Sequence, residues 1–189
     1  MGRWEPNARG RLAQAAFELF ADRGFEQTTV ADIAIRAGLT ERTFFRHFAD
    51  KREVLFSGQS ELREALVSGI ASAPESASPL AAVAAALEDV GAFFEEIRDR
   101  ARQRQAIISA NPELRERDLI KLASLASAMA AALRERGVPE PSASLAAEAG
   151  IAVFRIAFDH WVTGTGQPDL PSAIRESLDQ LQAVTATAG

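Results

Sequence analysis

An apolar stripe with a period near 3.6 residues runs through almost the whole chain, and it restricts the fold more than any other feature. Leu12, Ala15, Ala16, Leu19 and Phe20 follow the i, i+3, i+4, i+7, i+8 spacing of one helix face. That helix is predicted over about 7–23, stopping at Gly24, a residue type that suits helix C-termini. Thr29 is set to cap a short second helix carrying Val30, Ile33, Ala34 and Ala37, with Asp32 as its first-turn acid. Thr40 caps a third, with Phe44, Phe45 and Phe48. Asp50, with Glu53 in the reciprocal capping position, opens a fourth over about 50–71, which carries Val54, Leu55, Leu62, Leu66 and Ile70 and connects the two domains.

A Ser- and Pro-rich stretch at 72–79 breaks the pattern and marks a boundary. Helical spacing resumes at about 80–97, and a charged run from Glu95 to Arg104 leads into Ile107 and Ile108. Pro112 sits early in a helix reaching Arg136, Ser142 caps one that runs through Trp161 and ends near 164–166, and a last helix spans about 171–184. No segment has the two-residue alternation of a strand. The prediction is an all-α protein of about nine helices, with a helix-turn-helix domain at 1–56 and a larger helical domain at 57–189.

Composition removes several functions. The chain has no cysteine and two histidines, which excludes disulfides, thiolate metal sites and a cysteine nucleophile. No metal site, cofactor or catalytic residue is predicted, since no nucleophile–base pair, phosphate loop or metal-ligand spacing occurs. The start, with Arg3, Glu5, Arg9 and Arg11, lacks the apolar run of a signal peptide, and the longest apolar stretch, Leu80 to Leu87, is far too short to span a bilayer. The expectation is a cytoplasmic protein with no membrane partner.

The two short helices between Thr29 and Phe48, joined through Gly38-Leu39-Thr40, have the proportions of a helix-turn-helix, whose second helix enters the DNA major groove. Val30, Ile33, Ala34, Ala37, Leu39, Phe44 and Phe48 can lock the pair together. Thr40, Glu41, Arg42, Thr43 and Phe45 are left on or near the outward face. Arg42 can bond guanine with two donors, Glu41 can accept from cytosine, and Thr43 can meet a thymine methyl or a phosphate. Arg46, His47, Lys51 and Arg52 lie at the exit and suit phosphate oxygens, as does Thr29 at a helix N-terminus.

The string Phe25-Glu26-Gln27-Thr28-Thr29-Val30-Ala31-Asp32-Ile33-Ala34, then Ala37-Gly38-Leu39-Thr40, Thr43-Phe44-Phe45-Arg46-His47-Phe48 and Asp50-Lys51-Arg52-Glu53-Val54-Leu55 closely resembles the TetR family of bacterial repressors. The likeness covers about 9–56, with a looser one to an actinobacterial branch at 111–117. It implies a three-helix DNA-binding domain, a larger ligand-binding domain, a homodimer on a near-palindromic double-stranded operator, and a small-molecule effector. Residue by residue, it implies a phosphate-contacting cap at Thr29, recognition positions at Glu41, Arg42, Thr43 and Phe45, and backbone contacts at His47 and Lys51. One departure is Phe45, where the family commonly has tyrosine: a phenyl ring cannot hydrogen-bond a phosphate, and Arg46 stands next to it to compensate.

The predicted helix from Ser142 is apolar on two faces. Leu145, Ala149, Ala152, Val153 and Ile156 form one, and Ile151, Phe154, Phe158, Trp161 and Val162 the other. Such a helix must be covered twice. One face is expected inside the subunit and one against a partner copy, with Val153, Ile156, His160, Ile174, Leu178 and Leu181 as interface candidates. Phe93, Phe94, Ile97, Phe154, Phe158 and Trp161 are candidates for lining an effector pocket. The series Arg98, Arg100, Arg102, Arg104 is either a solvated face, an anion site or a coupling element.

Residues 1–56 hold nine basic and eight acidic side chains, a net of +1, and residues 57–189 hold twelve and eighteen, a net of −6. The acidity of the chain therefore belongs to its larger half, and the placement of individual cations is a better guide to nucleic-acid binding than the overall −5. The function expected is a ligand-released repressor. The alternative is a helical small-molecule-binding protein that has lost operator binding.

Overall fold

The computed structural model describes residues 7–164 and 168–186. Among the described residues there are nine α-helices, one short 3-10 helix and no strand. The chain divides into two compact units, 1–58 and 59–189. Thr165 and Gly166, where the sequence suggested the end of the eighth helix, lie outside the described residues.

The small unit contains α1 (Ala8–Arg23), α2 (Val30–Arg36), α3 (Glu41–His47) and a 3-10 turn (Glu53–Phe56). The Asn7 side chain caps α1 by accepting from the Gly10 amide at 3.0 Å. Gly24 ends the helix at a φ of 85°, which favours glycine. α1 packs on α2, α3 and the 3-10 turn. Leu12, Ala16, Leu19, Ile33, Phe44 and Val54 are fully or almost fully buried. Each large apolar side chain covered in this way contributes about 1.5–3 kcal/mol before conformational entropy is subtracted.

The predicted fourth helix over 50–71 is two separate segments. The Asp50 carboxylate accepts from the Glu53 amide at 2.9 Å, but only the 3-10 turn follows, and its N-cap position is Arg52. α4 (Gln59–Ser72) begins after Gly58, in the other unit. Leu55 and Leu62, seven residues apart, are in phase with a helical period, so the apolar pattern runs straight across the break.

The large unit continues with α5 (Pro79–Glu95), α6 (Arg98–Ala110), α7 (Pro112–Glu135), α8 (Ser142–Thr163) and α9 (Leu170–Thr185). The Ser/Pro stretch at 72–79 is therefore the α4–α5 connection inside one unit. Arg136 holds its start by donating to the carbonyls of Ala71, Ala73 and Pro74 at 3.2, 2.6 and 2.7 Å. Ser142 is the first residue of α8 and not its cap. The Glu140 carboxylate serves the first turn instead, accepting from the Ser144 amide and hydroxyl at 3.3 and 3.0 Å.

α5 packs against α4, α8 and α9, and a glycine stands at each crossing. A Cβ on Gly69 of α4 would lie 2.8 Å from the Ala86 Cβ, and one on Gly91 would lie 3.1 Å from the Ile174 Cδ1 of α9. A Cβ on Gly150 of α8 would overlap the Val83 Cγ1. These contacts bring α5 unusually near its neighbours, so that Val83, Ala86, Leu87 and Val90 are buried among them.

Candidate nucleic-acid interface

The α2–turn–α3 motif is held by reciprocal caps. The Thr29 hydroxyl accepts from the Asp32 amide at 3.1 Å and donates to the Asp32 carboxylate at 2.7 Å, which in turn accepts from the Thr29 amide at 3.1 Å. The hydrogen bonds from Thr29 hold the Asp32 carboxyl below its ordinary range, and Arg23 adds to this. Gly38 makes the turn at a φ of 65°, and the Leu39 amide closes it by donating to the Ala34 carbonyl at 2.8 Å. Thr40 caps α3 by accepting from the Thr43 amide at 3.2 Å, and the two threonine hydroxyls share a hydrogen bond at 3.1 Å.

With α3 fixed, Phe44 points inward at 0% exposure and Phe45 outward at 55%, their rings edge to face. Glu41, Arg42 and Arg46 are exposed and Thr43 is half-buried. His47 is half-buried in the last turn, with its Nε2 covered and without a hydrogen-bond partner, so this nitrogen does not face solvent.

Lys51 is differently placed from the exit position that the sequence suggested. Its ammonium donates to the carbonyls of Phe25, Glu26 and Thr28 at 2.8, 3.2 and 3.0 Å and lies 4.5 Å from the centre of the Phe25 ring. All three of its donors are thus engaged by the loop that leads to Thr29. The pattern repeats across the small unit. Arg9 donates to the Ser57 carbonyl, Arg11 to the Ala37 carbonyl, Arg23 pairs with Asp32, and Arg36 pairs with Glu18 and Asp22. Arg52 also has a partner. Among the described lysines and arginines of this unit, Arg42 and Arg46 are the two without a protein partner, and both are on α3.

The larger unit separates the other candidates. Phe94, Phe154, Phe158 and Trp161 form a chain of ring contacts with centroids 5.6–6.1 Å apart. Ile97 is half-buried, whereas Phe93 is 63% exposed and points away from the cluster. Val153 and Ile174, expected at an interface between copies, are instead covered by the subunit's own helices. Leu145 and Ile156 of α8 remain exposed at 66% and 49%, with Ala149 and Ala152 half-buried between them and His160 exposed beyond. Leu178 and Leu181 of α9 are half-buried.

The arginine series of α6 is neither a plain solvated face nor a single cluster. Arg98 and Arg102, one turn apart, donate to the Trp161 and Val162 carbonyls at 3.0 and 2.9 Å and so cap the end of α8, while Arg104 pairs with Asp118 of α7 at 2.7 Å. Sequence could not reveal these pairings, because their partners are 14 to 63 residues away.

Comparison with known proteins agrees with this architecture. The model of the bacterial regulatory proteins of the tetR family matches residues 12–57, and that of the MftR C-terminal domain matches residues 77–186. The chain belongs to the TetR family of bacterial transcriptional regulators, and its larger half is of the MftR type. It is 40% identical over 82 residues to the regulator TcmR of Streptomyces glaucescens, covering 43% of this chain and 36% of that protein. It is 34% identical over 115 residues to the protein described as a mycofactocin biosynthesis transcriptional regulator, MftR, of Mycobacterium tuberculosis, covering 60% of this chain and 58% of that one. The chain thus aligns with well under two thirds of the length of either relative. Among solved structures, the fold is similar to SmeT, the multidrug efflux pump repressor of Stenotrophomonas maltophilia (TM-score 0.63, 21% identity, 96% of this chain and 91% of that one). It is also similar to FadR of Bacillus subtilis in complex with stearoyl-CoA (TM-score 0.65, 21% identity, 91% and 96%). No described helix is long and apolar enough to cross a membrane.

Proposed function

We propose that the protein is a ligand-responsive regulator that binds a near-palindromic operator as a homodimer and is released from it by a small molecule. The observation that carries this reading is the distribution of cations in the small unit. Among the described residues, internal partners engage its lysines and arginines except Arg42 and Arg46, which stand exposed on the second helix of a helix-turn-helix. Arg42 reads a base, Arg46 meets a phosphate, and Phe45 supplies an apolar surface for a sugar or a thymine methyl. Glu41 and Thr43 complete the reading face, Thr29 and Thr40 fix the helix starts, and His47 meets the backbone after its ring turns outward.

Selection of bound DNA from random sequences tests the reading directly. The expected product is a two-fold symmetric site with half-sites about one helical turn, or a small multiple of it, apart. Recovery of no preferred sequence would refute it. On the selected operator, Arg42→Ala is expected to lose about 1–3 kcal/mol and to relax preference at one base position per half-site. Equal discrimination by both proteins in competition binding would remove Arg42 from the reading face.

Lys51 acts at one remove from DNA, by gathering the three loop carbonyls before Thr29. Lys51→Met, which keeps the stem over Phe25, is expected to weaken operator binding while leaving its salt dependence unchanged. A direct phosphate contact would instead make the logarithmic salt slope shallower by about 1.

A further inference from the structure

Two buried hydrogen-bond donors in the larger unit lack acceptors, and they lie against each other. Trp161 is fully buried near the end of α8, and its indole Nε1–H has no partner. Arg98, the first residue of α6, sets its guanidinium 5.1 Å from the centre of that indole and donates from Nη2 to the Trp161 carbonyl. Its Nε–H is buried and also has no partner. Indole and guanidinium are donor-only groups, so one acceptor group can complete both. A buried donor left unpaired costs about 1–3 kcal/mol. Two on stacked side chains point to an acceptor that is not part of the protein.

The charges indicate what kind of acceptor. Among the described residues no carboxylate pairs with Arg98. Acids on the neighbouring elements are directed elsewhere: Glu95 accepts from the Leu170 amide, Asp99 faces Arg102, Asp118 pairs with Arg104, and Asp159 accepts from Gln105. The carbonyl end of α8 is already capped by Arg98 and Arg102, so it does not take up the Nε edge. A lone water would satisfy a donor but would leave the guanidinium without a counter-charge. The surroundings indicate the rest of the ligand. Phe158 touches Trp161 at 5.6 Å and packs in turn on Phe94 and Phe154, an apolar ring cluster next to the two donors.

We propose that Trp161 and Arg98 form the anchor for an organic anion, a carboxylate on an apolar body that lies along Phe94, Phe154 and Phe158. This rests on the reading of the protein as a ligand-responsive regulator and assigns the chemical class of its effector. The Nε1–H and Nε–H donate to the carboxylate, both bonds being charge-assisted and the one from Arg98 an ion pair as well, and the apolar body is covered by the phenyl rings. A neutral ester of the same length keeps the apolar contact and loses the ion pair.

The test uses Trp161 as its own reporter. Trp4→Phe in the 189-residue chain leaves it as the single tryptophan. Decanoate and 3-phenylpropanoate, an alkyl and an aryl carboxylate, are titrated against its fluorescence, with methyl decanoate as the uncharged control. A saturable change with at least one carboxylate is expected, with the ester about tenfold weaker. By calorimetry, Trp161→Phe is expected to weaken the carboxylate about fivefold, and Arg98→Gln about tenfold. Because Arg98→Gln also removes a cap from α8, Arg98→Lys is run beside it and is expected to recover part of the affinity through its charge. Failure of both carboxylates to saturate at about 10 mM overturns the proposal, as does equal binding of acid and ester, or full affinity in Trp161→Phe. DNA selection with the same protein separates the two readings. An operator without carboxylate binding removes the anchor alone, whereas carboxylate binding without an operator removes the regulator.

Discussion

Ile156→Asp is expected to split the proposed dimer and to reduce operator affinity at least a hundredfold. Ile156 lies on the face of α8 that the subunit leaves uncovered, in line with Leu145, Ala149 and Ala152. Burying such a face against a two-fold related copy brings each side chain against the same patch on its partner. An aspartate there enters the apolar patch twice, once from each copy. An unpaired buried charge costs about 3–5 kcal/mol, and each 1.4 kcal/mol is tenfold in the dissociation constant. A monomer holds one half-site and loses the second recognition helix. Sedimentation velocity at micromolar concentration, with operator binding beside it, checks both effects. Leu145→Asp, farther along the same face, is expected to act in the same direction. A dimer that survives both substitutions would place the interface on another surface.

Gly150→Leu is expected to lower the melting temperature of the larger unit by roughly 6–12 °C. Two effects of opposite sign meet at this position. Any residue other than glycine or proline improves the helix, by up to about 1 kcal/mol for alanine. Against that, the new Cβ runs into the Val83 Cγ1, and Val83 is fully buried and branched at its own Cβ. It has one good rotamer in a helix and nowhere to turn. Overpacking of this kind costs about 1–3 kcal/mol for small insertions and more for a whole leucine. At roughly 2–4 °C per kcal/mol, the clash outweighs the propensity several times over. Calorimetry on Gly150→Ala and Gly150→Leu gives the order expected: alanine slightly less stable than glycine, and leucine far less. A rise in melting temperature with alanine would mean that α8 can retreat from α5 at little cost.

The helix starts were the most legible part of the structure. Thr29 with Asp32, Thr40, and Pro112 after Asn111 are local signals, and α2, α3 and α7 begin where these residues place them. Local signals were also misleading where two segments happened to share a phase, as Leu55 and Leu62 do across the break at 57–58. The outward face of α3 could be derived from spacing alone, because Phe44 and Phe48 fix which side is inward. Lys51 could not, since its three acceptors are carbonyls of a loop 23 to 26 residues earlier, and backbone groups leave no mark in a sequence. The aromatic candidates divided for the same reason. Phe93 and Phe94 are adjacent, and a rotation of about 100° per residue puts one in solvent and the other in the ring cluster. The three glycine contacts of α5 were invisible too, because a glycine within an Ala-rich helix reads only as a weak position until its neighbour is known.

The scarcity of uncommitted cations on the reading unit bears on how the protein can be turned off. The uncommitted cations described on α3, Arg42 and Arg46 on each copy of the proposed dimer, displace about four counterions between them, so the logarithmic salt slope expected from α3 is shallow, near −4. A regulator that held its site through ten such contacts would demand a large antagonistic force from its effector. A loosely held one needs only a small lever. A coupling of about 1–3 kcal/mol between the effector site and the operator, the ordinary range for such linkage, is enough to empty a site whose occupancy was never far from balance. On the function proposed above, economy of charge on α3 makes the protein responsive to effector levels that shift by modest factors, where a tighter DNA clamp would register only extremes.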